Sequence, residues 1–167
     1  MQFNVNSRVF TLDILHHWLM SRTHISFTYP KNIRFHCTKC GLCCGDTRTR
    51  TRHILLLEKE AERVSEITSK PVEAFACRIK GHDSARAYAY EMRKTGEGKC
   101  PFLEDNACGI YQSRPLICRY YPFRLRTRRK GKHVFSFTSE CPGIGAGRVL
   151  RKNYFERLLK RARGELN

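Results

Sequence analysis

Four cysteines fall within eight residues, Cys37-Thr38-Lys39-Cys40-Gly41-Leu42-Cys43-Cys44, and four more follow at Cys100, Cys108, Cys118 and Cys141. This density of thiols constrains the chain more than any hydrophobic pattern in it. In a reducing compartment a shared soft metal ion or an iron–sulfur cluster explains it better than packing does. Disulfides are the reading that an oxidising compartment would favour. The ninth cysteine, Cys77, stands apart in Ala74-Phe75-Ala76-Cys77 and reads as a buried structural thiol in a helical, apolar setting.

Cys37, Cys40 and Cys43 repeat the C-x2-C-x2-C spacing that wraps one face of an iron–sulfur cluster. The fourth local cysteine follows at once, and the side chains of Cys43 and Cys44 should diverge. Two later Cys-Pro pairs, Cys100-Pro101 and Cys141-Pro142, are each placed to complete a cluster begun by the N-terminal run. Zinc competes. Cys37-x2-Cys40-Gly41 also has the form of a zinc knuckle, and eight thiolates would make two closed four-thiolate sites. The spacing leaves both metals open.

Arg114 precedes Cys118 by four residues, so on a helix the two share a face. Arg119 follows Cys118 directly. Guanidinium groups beside thiolates lower their charging cost, which makes Arg114 and Arg119 candidate supports of the metal site; the plain alternative is a solvated basic face. His36 and His53 flank the first cluster as spare ligands where eight thiols already suffice. Gly143-Ile144-Gly145-Ala146-Gly147 lacks a preceding Rossmann strand and a Gly-Lys-Ser/Thr ending, so a turn after Cys141 fits better than a phosphate loop. No Ser/His/Asp set or spaced carboxylate pair argues for catalysis.

The periodicity predicts a small single-domain α+β fold organised around the metal site, with helices at both ends. Residues 1–34 read as a helix capped by Ser7 plus a connector, 35–147 as the cysteine-cluster domain, and 148–167 as a basic amphipathic helix packed on it. Within the middle region, strands are expected at 33–37, 54–57 and 87–93, and helices at 58–68 and just after Pro71. A short helix opened by Ser113-Arg114-Pro115 should end at Pro122. A hairpin should join 123–126 to 134–138, and a Gly-rich turn should span 142–147. The final helix is expected from about Arg148 to Arg163.

Charge is lopsided. Lys and Arg number 32 against 15 acids, and residues 110–167 hold 15 basic and 3 acidic residues, which is +12 of the net +17. Two filled four-thiolate sites would offset only about 4 of these charges. Polyanions or acidic protein surfaces are therefore the expected partners, with the C-terminal third a candidate nucleic-acid contact. No early stretch has a signal-peptide layout and no run is long enough to span a bilayer, so a soluble cytoplasmic protein without membrane insertion is expected.

The Cys37–Cys44 run resembles the signature of the zinc- or iron-chelating CxxCxxCC cysteine-cluster family. The likeness continues through Cys100-Pro101-Phe102-Leu103, Cys108-Gly109-Ile110-Tyr111 and Arg114-Pro115-Leu116-Ile117-Cys118-Arg119-Tyr120-Tyr121-Pro122-Phe123 to Cys141-Pro142-Gly143. The family includes flagellin lysine N-methylases, in which this domain carries an iron–sulfur cluster used with S-adenosylmethionine. The resemblance therefore implies iron, an S-adenosylmethionine cosubstrate and a lysine-bearing protein substrate. Those enzymes are considerably longer than this chain. The competing readings are a non-enzymatic zinc or iron–sulfur adaptor or redox module, and a basic nucleic-acid binder.

Overall fold

A computed structural model describes residues 26–48, 50–82, 87–128 and 132–166. The N-terminal helix expected after Ser7 lies outside the described residues. The elements in chain order are β1 (Phe27–Thr28), β2 (Arg34–Phe35), β3 (Leu55–Leu56), α1 (Glu58–Thr68), α2 (Val72–Phe75), β4 (Ala76–Arg78) and β5 (Tyr90–Met92). They continue with β6 (Leu103–Glu104), β7 (Ala107–Cys108), α3 (Leu116–Tyr120), β8 (Phe123–Thr127), β9 (His133–Phe137), β10 (Ile144–Val149) and α4 (Lys152–Leu166). Short 3-10 turns cover Leu42–Cys44 and Tyr111–Ser113. The fold is α+β, as the sequence predicts. No described helix is long and apolar enough to cross a membrane.

Two apolar clusters organise these pieces. The first gathers Ile54, Leu56, Ala61, Val64, Phe75 and Met92 around α1 and the antiparallel sheet β3-β5-β4. Ala61 and Val64 lie three residues apart on one face of α1, and that face is fully buried. The second cluster is aromatic. Phe123 and Phe135, on the β8–β9 hairpin, meet Phe155 and Leu159 of α4, with Phe155 within 5.2 Å of both rings. Sheet β1-β9-β8 presents this face to α4.

α3 ties the clusters together. Leu116 and Tyr120 belong to the aromatic cluster, whereas Ile117 and Cys118 pack on the first. Its start is held by Glu60, an α1 carboxylate only 2% exposed. One Glu60 oxygen accepts the Leu57 N–H at 3.0 Å and caps α1. The other accepts the Leu116 N–H at 2.6 Å and caps α3. One buried side chain thus fixes two helix starts in relation to each other.

The Gly-rich segment departs from expectation. It is strand β10, paired antiparallel with β2, and α4 begins only at Lys152. The glycines are there for close approach. A Cβ on Gly143 would sit 2.2 Å from the His36 carbonyl oxygen, and Gly147 has φ +76° with its Cβ position 2.7 Å from that of His36. The His36 N–H donates to the Gly143 carbonyl at 3.1 Å, which draws the Cys141 segment onto the Cys37 segment. Cys77 also departs from expectation. It lies on β4 opposite Glu91 and is exposed, because strand alternation buries Ala76 and turns its neighbour outward.

The close approach at Gly143 makes a sharp test. Gly143→Ala is expected to push β10 off β2 and cost about 2–4 kcal/mol in urea unfolding. An exposed glycine with open space at its Cβ position, Gly96, serves as control, and Gly96→Ala should change little.

A cavity lined by eight cysteines

All eight clustered cysteines line one cavity of about 710 Å³, and Cys77 does not. The cavity lies at the seam between the clusters. Ile54, Met92 and Ile110 face it from the first, and Phe35, Leu150 and Tyr154 from the second. Sequence separations of up to about a hundred residues are closed by local devices. Gly41 at φ +70° turns the chain so that the Cys44 N–H donates back to the Gly41 carbonyl at 2.8 Å. The Cys44 carbonyl then accepts the Cys100 N–H at 2.5 Å, which brings the two cysteine segments together. The β6–β7 hairpin returns Cys108, and the short helix α3 supplies Cys118.

The thiols differ in setting. Cys100 and Cys141 are buried, Cys43, Cys44, Cys108 and Cys118 half-buried, and Cys37 and Cys40 exposed. Cys43 and Cys44 do not diverge as expected. Their sulfur atoms lie 3.5 Å apart. The hydrogen bond the two share, reinforced by Arg52 and Arg114, brings the Cys43 thiol down to about 7 against the opposing effect of burial. The same hydrogen bond raises Cys44, and burial adds to the rise. Burial pushes Cys100 up to about 11 and also raises Cys108, Cys118 and Cys141. Without metal, most of this cavity is therefore lined by neutral thiols.

Both predicted arginines line the cavity. Arg114 stacks on Tyr111, 3.7 Å from the ring centroid, and donates to the Tyr111 carbonyl at 3.1 Å. Its charge favours the thiolates of Cys43 and Cys108. Arg119 donates to the Gln112 carbonyl, and burial lowers its own pKa. His36 reaches the cavity wall, whereas His53 is absent from the lining and pairs with Glu91 at 2.6 Å.

Arg52 is the functional residue that sequence reasoning missed. It donates to Glu140 at 3.1 Å, stacks on the Tyr121 ring at 5.0 Å and favours the Cys43 thiolate. Its Nε is buried without a hydrogen-bond partner. Nothing in the Arg48–Arg52 stretch singles out this arginine before folding places Tyr121 and Glu140 beside it.

Among the described residues, no three His, Cys, Asp or Glu side chains already stand together as a single-ion cage. The thiols surround a space rather than a point. What they can do chemically is soft-metal chelation, and the donor set fits zinc or iron.

The comparison with known proteins agrees. Residues 36–142 match the CxxCxxCC family, described as a "putative zinc- or iron-chelating domain". The chain belongs to this family. The uncharacterized protein MJ0661 of Methanocaldococcus jannaschii is 33% identical over 147 residues, which is 83% of this chain and 74% of that protein. The uncharacterized protein MJ0939 of the same organism is 24% identical over 127 residues, 73% of this chain but 41% of its relative. No solved structure is a significant match.

Metal loading should release protons, because the raised thiols must give theirs up to bind. Affinity is expected to fall as pH drops from about 8 to about 6, by up to about tenfold per pH unit for each proton displaced. Without metal the sign reverses. A thiol such as Cys100, raised by folding to about 11, contributes stability that is fully present below its unfolded pKa, about 8.5–9, and lost as pH rises through its folded value. Metal titrations with a pH indicator, and urea melts of metal-free protein above about pH 9, check the two directions.

Proposed function

We propose that this chain is an iron–sulfur protein whose cluster acts on a small molecule admitted to the same cavity. The observation that carries the reading is the eight-thiol cavity itself. A tetrahedral zinc ion with Zn–S near 2.3 Å would gather its thiolates to about 3.8 Å from one another. A multinuclear cluster spreads them over separate iron atoms around a larger volume, which favours iron here. The cytoplasm would keep such a cluster reduced and its ligands free of disulfides.

S-adenosylmethionine-dependent methyl transfer to protein lysines is the leading enzymatic form of this proposal, by likeness to the flagellin lysine N-methylases. The exposed Cys37–Cys40 segment leaves one side of the cavity wall at the surface, where a small molecule can enter. Cys37, Cys40, Cys43, Cys44, Cys100, Cys108, Cys118 and Cys141 would hold the metal. Arg52 and Arg114 would offset thiolate charge at Cys43, and Arg119 would add positive charge at the cavity wall. A cluster bound there would supply electron-transfer chemistry, and Lewis-acid chemistry only if one iron kept an exchangeable ligand in place of a cysteine. Tyr111 and Tyr121 hold Arg114 and Arg52 in place by stacking.

Anaerobically purified protein is expected to be brown, with iron and acid-labile sulfide in similar amounts. S-adenosylmethionine is expected to perturb the paramagnetic resonance spectrum of the reduced protein. Colourless protein holding stoichiometric zinc after growth with ample iron would contradict the iron reading. An unchanged spectrum with no binding heat would contradict the methyl-transfer form and favour an adaptor or redox module.

A second reading, nucleic-acid contact, has its own observation. Strands β1, β9 and β8 contain no acidic residue. Arg124 and Arg126 alternate with the inward Phe123 and Leu125 and are exposed on the face away from the aromatic cluster. Arg128 and Lys132 extend this basic surface at the hairpin end, joined by the Arg128 N–H donating to the Lys132 carbonyl at 2.8 Å. If this face binds phosphates, duplex DNA affinity should fall steeply with salt. Arg124→Gln with Arg126→Gln should then reduce the slope of log K against log salt by about 2. An unaltered slope would remove this reading.

A further inference from the structure

We infer that the eight thiols form two adjacent metal centres, one inner and closed, one outer and exposed. The inference rests on the chelating role above and holds for either metal. The division is drawn by packing. Cys44, Cys100, Cys108 and Cys118 all pack on the cluster built by Ile54, Leu56, Val64 and Phe75. Cys37, Cys40, Cys43 and Cys141 pack on neither that cluster nor the aromatic one. Four thiolates saturate one tetrahedral ion or one four-iron cluster. A single centre on the inner set would leave four more sulfur donors on the same cavity wall.

The backbone divides the thiols the same way. The hydrogen bond from the Cys100 N–H to the Cys44 carbonyl holds these two cysteines together on the inner side. Glu60, through the Leu116 N–H, fixes the helix that delivers Cys118. On the outer side, the bond from the His36 N–H to the Gly143 carbonyl brings the Cys141 segment against the Cys37 segment. Cys43 adjoins both groups, and its contact with Cys44 makes the two centres neighbours.

The two centres would differ in exchange. The inner set is anchored in an apolar core and includes the buried Cys100. The outer set includes Cys37 and Cys40, both exposed, on a segment with no regular secondary structure. The outer metal would therefore be the more open of the two to solvent and competing ligands, although its fourth thiol, Cys141, is as buried as Cys100. Two sets of four thiolates around dications would carry about −2 each; Arg114 and Arg119 line the cavity, and Arg52, outside its lining, favours the Cys43 thiolate.

The test uses zinc as the probe on the full chain, reconstituted anaerobically, with 4-(2-pyridylazo)resorcinol as competing chelator. About two zinc ions per chain are expected, released in two phases of equal amplitude. Cys40→Ser should lose the fast phase and keep the slow one. Cys100→Ser should lose the slow one. One zinc per chain, or two released in a single phase, would overturn the two-centre division while leaving chelation intact. No zinc uptake at all would overturn the chelating role and this inference with it. Wild-type stoichiometry and release decide the matter even if a variant fails to fold.

Discussion

The thiol-lined seam is the constraint on which the rest of this structure depends. Two apolar clusters, one around α1 and one around Phe155, meet through α3 and leave between them a cavity of about 710 Å³. Eight cysteines are among the residues that line it, and burial favours the neutral thiol at Cys100, Cys118 and Cys141, whose protons a metal would displace. Metal would then act as the missing core. It would add a tie between elements that otherwise meet through α3, so metal affinity and folding stability would be coupled.

Around that seam, the protein invests in fixed geometry. Glu60 caps α1 and α3 at once, so a shift in either helix is felt at Cys118. Gly143 and Gly147 let β10 lie close against the His36 backbone, so Cys141 meets the N-terminal cysteines. Arg52 and Arg114 are each clamped on a tyrosine ring, Arg52 also pairing with Glu140, and both place positive charge near Cys43. These devices bring together cysteines drawn from five separate stretches of chain.

Much of this was legible in the sequence, and the misses have physical causes. α1 was readable to the residue, because Ala61, Val64 and Ile67 repeat at helical spacing, although Ile67 is exposed and the double capping by Glu60 shows only in the fold. The β8–β9 hairpin was readable from alternation of Phe123, Leu125 and the arginines. β10 was not, since its glycines signal a turn, and only the folded backbone reveals that they permit a close approach. Cys77 was misplaced because Phe75 and Ala76 are apolar in either a helix or a strand, and the strand turns Cys77 out. The eight cavity cysteines were readable because few roles other than chelation favour so many thiols. Arg52 was not, because its partners Tyr121 and Glu140 lie far along the chain.

The central claim is that eight cysteines share one metal-holding cavity and the ninth does not. Alkylation of the metal-loaded protein by iodoacetamide, read cysteine by cysteine by mass spectrometry, tests it most directly. The account predicts rapid labelling at Cys77 and protection at the other eight, even at Cys37 and Cys40, which are exposed when metal is absent. Removing the metal should then open those two first. Protection of Cys77, or labelling of Cys37, Cys40, Cys118 or Cys141 in loaded protein as fast as Cys77, would contradict it.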